Sequence, residues 1–244
     1  MTRAEDAGLA TGYAGCIVRA VFRCLLVGVL GLVAGSLHAQ GTAVVRDGDA
    51  VVFTGRIDAD AAARAIALLQ DPAVSRLVIT SGGGLVAPAL DLADAVHARR
   101  IDVEVPKACL SSCANYVLPA GARKVLGRPG VVGWHGTMAH VLYLQATGQG
   151  SWSDEEMAEA RALAAREVTF YARLGVDGFV GWFAKLPPYA IDEFYCLSPP
   201  DMARFGIHDV TVRDPEAAIA NALVQPVEVD WDALESLRAT TRLE

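Results

Sequence analysis

The alternation of apolar and polar positions predicts strands and helices that follow one another along the chain. Two β-branched runs surround Asp47–Gly48, a pattern typical of a hairpin. Apolar residues then recur at helical spacing over residues 58–70, with Asp58 placed to cap that helix. Further short apolar runs alternate with helical or turn segments at residues 77–80, 101–105, 124–126 and 131–134. This order predicts a single α/β domain with a largely parallel sheet.

The second half of the chain is predicted to be mainly helical. Ser153 is followed by three acidic residues, which is a strong helix start, and the helix is expected to continue to Leu174. Residues 136–150 are expected to form a loop or a short excursion from the domain. The remainder is predicted to form a short helix, a last strand and a helical tail, over residues 199–205, 207–212 and 213–244.

Residues 1–39 have the character of an export signal. Arg19 and Arg23 precede an apolar run, Cys24–Ala34, which suits a signal-peptide core and is short for a membrane span. Cleavage after Ala39 would leave one domain over residues 40–244. We therefore expect export to the periplasm. The alternative is an uncleaved segment that anchors the chain in the inner membrane.

Composition narrows the expected partners. The net charge is −7 and no run of Lys or Arg occurs in the body of the chain, so nucleic acid is not an expected partner. No motif has the spacing of a metal or cofactor site, so neither a metal ion nor a cofactor is expected. Cys109 and Cys113 flank a predicted strand–helix junction and are the expected disulfide pair in an exported chain, with Cys196 outside it. The alternative is that all three are reduced.

Three features between Leu77 and His135 could carry chemistry. Ser81–Gly84 leads from a strand into a helix, and its glycines could present backbone N–H groups to an anion. Ser112 begins the next helix, a position that favours a nucleophile but is also a common N-cap. His135 ends a short apolar run, where either a packed core histidine or a general base would fit.

The order and spacing of these features resemble the Clp protease proteolytic subunit and the wider Clp/crotonase superfamily. In that family a glycine turn precedes a nucleophilic serine at a helix start, an Ala-Gly pair follows, and an Arg and a Pro-bearing turn lead to a catalytic histidine. The matching positions are Ser81–Gly84, Ser112, Ala120–Gly121, Arg123, Pro129 and His135. The resemblance covers residues 77–135 and extends loosely to residues 200–207.

The resemblance implies a Clp/crotonase-type fold of repeated ββα units that assembles into homo-oligomers. It also implies a serine hydrolase, most simply a peptidase acting on polypeptide. His135 would take the proton of Ser112, and the amides of Gly84 and Cys113 would form the oxyanion hole. The long helix of residues 153–174 would pack between subunits or cover the site.

Departures from the family pattern leave alternatives open. The position counted for the orienting aspartate is Phe194, so Asp192, with Glu193 beside it, is expected as the third member only after a small shift. A chain without a working triad would be a catalytically inactive binding or assembly module. Acyl-CoA chemistry is disfavoured by export, because CoA is a cytoplasmic cofactor. A Ser–Lys dyad or another base would draw on Lys107, Lys124, Lys185 or His140.

Overall fold

The computed structural model describes residues 41–127, 130–213 and 224–241. The export signal expected over residues 1–39 and a helix expected over residues 214–223 therefore lie outside the described residues. Within them the strands are β1 Ala43–Asp47, β2 Ala50–Thr54, β3 Arg76–Thr80, β4 Asp102–Val105, β5 Ala108–Leu110, β6 Lys124–Leu126, β7 Val131–Gly133, β8 Phe194–Cys196, β9 Val210–Val212 and β10 Val224–Pro226.

The helices lie mainly in the second half of the described chain. They are α1 Ala59–Leu69, α2 Val86–Ala98, α3 Leu118–Ala120, α4 Met138–Ala146, α5 Asp154–Leu174, α6 Pro199–Arg204 and α7 Trp231–Thr241. A π-helical turn, Cys113–Val117, precedes α3, and two 3-10 turns, Gly178–Gly181 and Phe183–Lys185, follow α5. None of the described helices is long and apolar enough to cross a membrane.

A six-stranded sheet in the order β1-β2-β3-β4-β6-β9 forms the centre of the molecule. β1 and β2 are antiparallel, and every other neighbouring pair is parallel. Alternate side chains of the inner strands are fully buried, among them Leu77 and Ile79 of β3. The prediction of an α/β domain with a largely parallel sheet is confirmed.

Two small parallel sheets stand beside the central one and hold the candidate site. β5 pairs with β7, and β8 pairs with β10. Isolated bridges connect these sheets to their surroundings. Ser81, which follows β3, pairs with Cys109 of β5, and Trp134, which follows β7, pairs with Tyr195 of β8. The strands before the candidate serine and the candidate histidine are therefore neighbours.

Local signals predicted several elements correctly. The hairpin β1–β2 forms around Gly48, and the side chain of Asp58 accepts a 2.8 Å hydrogen bond from the amide of Ala61 at the start of α1. Ser153 and Glu156 form a reciprocal capping box at the start of α5. Short-range polar contacts of this kind are encoded within four residues, so the sequence pattern reveals them.

The loop prediction for residues 136–150 is wrong in part, because α4 occupies Met138–Ala146. The candidate N-cap, Thr137, makes no side-chain capping bond. The carboxylate of Glu167 in α5 accepts the first amides of α4 instead. In the predicted helical tail, α7 is preceded by the strand β10, which the sequence pattern did not predict.

Candidate active site

Ser112 is presented by a sharp turn between β5 and a helical segment. Its φ and ψ of −59° and −24° are already helical and its side chain makes no capping bond, so Ser112 is not an N-cap. Ser111 before it has a φ of +53°, which a residue with a side chain rarely adopts. The segment then continues as a π-helical turn. Strained residues and π-turns are both enriched at functional sites.

The glycine turn packs directly against this serine. The amide of Gly84 donates a 2.8 Å hydrogen bond to Oγ of Ser112. A Cβ on Gly84 would lie 2.0 Å from the carbonyl oxygen of Ile57, and a Cβ on Gly83 would lie 2.7 Å from that of Leu110. Both positions therefore require glycine, and the close approach of the turn aims the Gly84 amide at the hydroxyl.

A disulfide joins Cys109 and Cys113, as predicted, and brackets Ser112 from both sides. Both cysteines are fully buried. Cys113 is the first residue of the helical segment, so its amide has no acceptor within that segment. This amide adjoins Ser112 and is the second oxyanion-hole donor that the family resemblance implies.

His135 leaves its strand at the same end as Ser112. Leu110 of β5 lies opposite Gly133 of β7 in the parallel pair, and Ser112 and His135 each follow that pair by two residues. His135 is exposed. Among the described residues no hydrogen bond joins the two side chains, and the described hydrogen bond of Ser112 Oγ is the one that it accepts from the Gly84 amide.

The third position of the expected triad is occupied by an aromatic ring. Trp134 and Tyr195 exchange backbone hydrogen bonds of 2.9 and 3.0 Å in an antiparallel bridge, which sets Phe194 across from His135. The two ring centroids lie 4.8 Å apart. Counting along the sequence therefore found the residue that faces the imidazole, but Phe194 cannot accept a hydrogen bond from it.

Asp192 is exposed and makes its described contact through the backbone. Nζ of Lys185 donates to the carbonyl oxygens of Asp192 and Glu193, at 2.6 Å each. No hydrogen bond connects the Asp192 carboxylate with His135 in the described part of the chain. The structure thus brings Ser112, Gly84 and Cys113 together, places His135 just after the strand β7 that pairs with β5, and leaves Asp192 at the periphery.

The electrostatics of this region favour neutral imidazoles. Desolvation and the positive charge of Lys185 lower the pKa of His135, while Glu193 raises it in part. His140 stacks on Trp182 with ring centroids 5.5 Å apart, and desolvation, Lys185 and His135 lower its pKa to about 4. His135 can therefore accept a proton at neutral pH, but the imidazolium that forms would be poorly stabilised.

A buried polar network behind the serine was not predicted from the sequence. The hydroxyl of Tyr116, on the helical segment of Ser112, donates to the carboxylate of Glu167, which is 2% exposed. The same carboxylate accepts the amides of Met138 at 3.0 Å and Ala139 at 3.3 Å. Desolvation raises the pKa of Glu167. The network ties the serine helix to both α4 and α5.

The signal that could have revealed Glu167 is its position on α5. The buried face of that helix follows helical spacing through Met157, Ala160, Ala164, Glu167 and Tyr171. A glutamate on an otherwise apolar seam is rarely buried without partners, which marks it for attention.

Within the described ranges no group of three His, Cys, Asp or Glu side chains is close enough to hold a metal ion. No family model matches the chain, and no curated protein is significantly similar to it. The chemistry must therefore be inferred from the geometry of the site.

Proposed function

We propose that this chain is a serine hydrolase of the Clp/crotonase type, with Ser112 as nucleophile and His135 as general base. The observation that carries the proposal is the 2.8 Å hydrogen bond from the Gly84 amide to Oγ of Ser112. It places a rigid backbone donor beside a serine at the start of a helical segment, where an oxyanion would develop during acyl transfer.

The reaction would proceed by acyl transfer through Ser112. Rotation of its side chain would release the Gly84 amide and bring Oγ towards His135, which takes the hydroxyl proton as Oγ bonds to the substrate carbonyl carbon. The amides of Gly84 and Cys113 would hold the resulting oxyanion. Collapse of this intermediate would expel the leaving group, which receives the proton from His135. Water, activated by His135, would then hydrolyse the acyl-enzyme.

The proposed substrate is an extended polypeptide, and the proposed location is the periplasm. Leu85, next to the Gly84 amide, is 48% exposed and offers an apolar contact beside the site. The Cys109–Cys113 disulfide supports an oxidising compartment, because such bonds persist outside the cytoplasm. Of the lysines considered for a dyad, Lys185 acts on His135 electrostatically, while Lys124 lies in the central sheet.

A homo-oligomer is also part of the proposal. The helix α4 is apolar on nearly all sides, yet none of its residues is buried. An apolar helix of this kind is normally covered. A second copy of the chain is the cover that the resemblance to the Clp family suggests.

A second candidate function is a catalytically inactive binding or assembly module. The contact between Phe194 and His135 favours it, because the imidazolium lacks a hydrogen-bonded carboxylate. Loss of that carboxylate typically costs a serine hydrolase about ten-thousandfold in rate. The two candidates differ in whether Ser112 is activated.

Fluorophosphonate labelling of the purified protein separates them. We expect labelling that disappears in Ser112→Ala and His135→Ala but survives in His140→Ala, because His140 is the neighbouring imidazole without an assigned role. A folded wild-type protein that does not label would support the binding module instead. Circular dichroism of each variant shows that it is folded.

A further inference from the structure

A cavity separate from the serine site lies between α4, α5 and the 3-10 turn that follows α5. Its volume is about 700 Å³, within the range of small-molecule sites, and neither Ser112 nor His135 lines it. Its walls are predominantly apolar and aromatic, with contributions from Leu142, Val168, Tyr171, Phe179 and Trp182. Val168 at its edge is 69% exposed, so this cavity opens to solvent.

Glu167 lines this cavity, and its buried carboxylate has no cationic partner among the described side chains. Its three hydrogen-bond donors, a hydroxyl and two amides, are uncharged. No ion pair to Glu167 forms among the described side chains, and Arg161, which also lines the cavity, is exposed. Buried carboxylates are normally paired with a cation, because desolvation of an uncompensated charge is costly.

Two further buried oxygens near Glu167 lack donors. Thr137 lines the cavity and is 4% exposed, and its hydroxyl has no hydrogen-bond partner. Oδ1 of Asn115 is also unpartnered, and both side chains pack around Gly181, but Asn115 does not line the cavity. The Thr137 hydroxyl can accept a hydrogen bond from a donor on a ligand in the cavity, and a positive charge on that donor would complement Glu167.

We propose that the cavity binds a primary alkylammonium group. The ammonium would donate to Glu167 and Thr137, and the alkyl stem would lie along Leu142 and Val168. Tyr171, Phe179 and Trp182 suit a cation, because aromatic faces attract positive charge. Both a free alkylamine and the side chain of a lysine have this chemistry. Binding in this cavity does not require that Ser112 is a working nucleophile.

Calorimetric titration of the purified protein with hexylammonium tests the proposal. Hexanol has the same stem without the charge, and hexanoate has the opposite charge. We expect hexylammonium to bind roughly tenfold or more tightly than hexanol, because hydrogen bonds to a charged group are stronger, and hexanoate not to bind. N-acetyl-lysine methylamide, compared with its norleucine analogue, shows whether a lysine side chain also enters. Equal affinity for hexylammonium and hexanol, or no binding of hexylammonium, would overturn the proposal.

Variants of the cavity locate the binding. Glu167→Gln removes the charge and should weaken hexylammonium binding at least tenfold. Thr137→Val removes the unpartnered hydroxyl at nearly constant volume, and Val168→Trp obstructs the cavity from its exposed edge, so both should weaken binding as well. Thr169→Val is the matched control, because Thr169 is exposed on α5 and does not line the cavity. If Glu167→Gln does not fold, Thr137→Val and Val168→Trp provide the test. Unchanged affinity for hexylammonium in both of these variants would contradict binding in this cavity.

Discussion

Gly82 and Gly84 lie two residues apart in the glycine turn, but a side chain would meet different surroundings at each. A Cβ on Gly84 would overlap the carbonyl oxygen of Ile57, whereas nothing lies within 4 Å of a Cβ on Gly82. Gly84→Ala must therefore displace the amide that contacts Ser112. We expect fluorophosphonate labelling to slow by about a hundredfold or more, as on loss of an oxyanion donor.

Gly82→Ala is the control for this substitution and should label at close to the wild-type rate. A time course of labelling, quenched at intervals and read on gels, measures the labelling rate of both variants. Thermal unfolding of each variant shows that it is folded. Equal rates in the two variants would show that the Gly84 amide plays no part in activating Ser112.

Phe194 offers a test in the opposite direction, towards gained activity. In the wild-type protein the lowered pKa of His135 keeps the imidazole neutral at pH 7, so labelling should fall only at lower pH, as His135 becomes protonated. Phe194→Asp would place a carboxylate opposite His135 and favour the imidazolium. The midpoint of the pH-dependent loss of labelling should then move to higher pH by about 1 pH unit or more, and the labelling rate at pH 8 should rise.

Phe194→Asn has a similar shape without the charge and should leave that midpoint in place. The pH dependence of labelling, together with titration of His135 followed by nuclear magnetic resonance, provides the measurement. A midpoint that does not move in Phe194→Asp would mean that position 194 does not reach the imidazole in solution.

Among the elements, the turn between β5 and the serine helix is closed by the Cys109–Cys113 disulfide. Cys109 and Cys113 close a short loop, for which chain entropy predicts about 2 kcal/mol of stabilisation. The double variant Cys109→Ala, Cys113→Ala should lose about this free energy of unfolding. Ser112 labelling should also slow, because Ser111 and Ser112 lie inside the loop.

Urea denaturation with and without a reductant measures the effect. The reductant should destabilise the wild-type protein but not the double variant, which serves as its own control. If the reductant lowers the free energy of unfolding of the double variant as much as that of the wild-type protein, the effect does not come from this disulfide.

The elements also show which parts of the fold can be predicted from sequence. The hairpin at Gly48, the Asp58 cap and the Ser153 capping box depend on residues close in sequence, and their patterns were sufficient. The helix α4 was missed because its cap is Glu167, in another helix. No pattern within residues 136–150 encodes that contact.

The same distinction applies to the candidate site. The positions of Ser112 and Gly84 follow from junctions between neighbouring elements, and the Cys109–Cys113 pair was predicted correctly. The environment of His135 depends on β8, a three-residue strand whose pairing with residue 134 spans a long stretch of sequence. Glu167 and Tyr116 meet only through tertiary packing, so the network behind the serine could not be predicted from local pattern.

At the scale of the whole molecule, self-association through α4 can be tested with a single charge. Val141 and Leu144 are only partly buried in the single chain. Leu144→Glu should therefore convert an oligomer to a smaller species, because a buried charge at an apolar contact is costly. Gln145→Glu adds the same charge at an exposed position of the same helix and should leave the assembly intact. Sedimentation velocity measures both, and a wild-type protein that sediments as a monomer would contradict the expectation.

The edge strand β9 has a consequence for how the chain folds. β9 pairs with β6, so the central sheet is complete only when residues 210–212 have paired with residues 124–126. The chain between these two strands, which includes His135, α4, α5 and Phe194, forms one long connection. Pairings between residues this distant in sequence are slow to form, and an unpaired strand edge invites aggregation. During synthesis the edge of β6 would stay unpaired until β9 emerges, and a chain that stopped before residue 210 would keep that edge exposed.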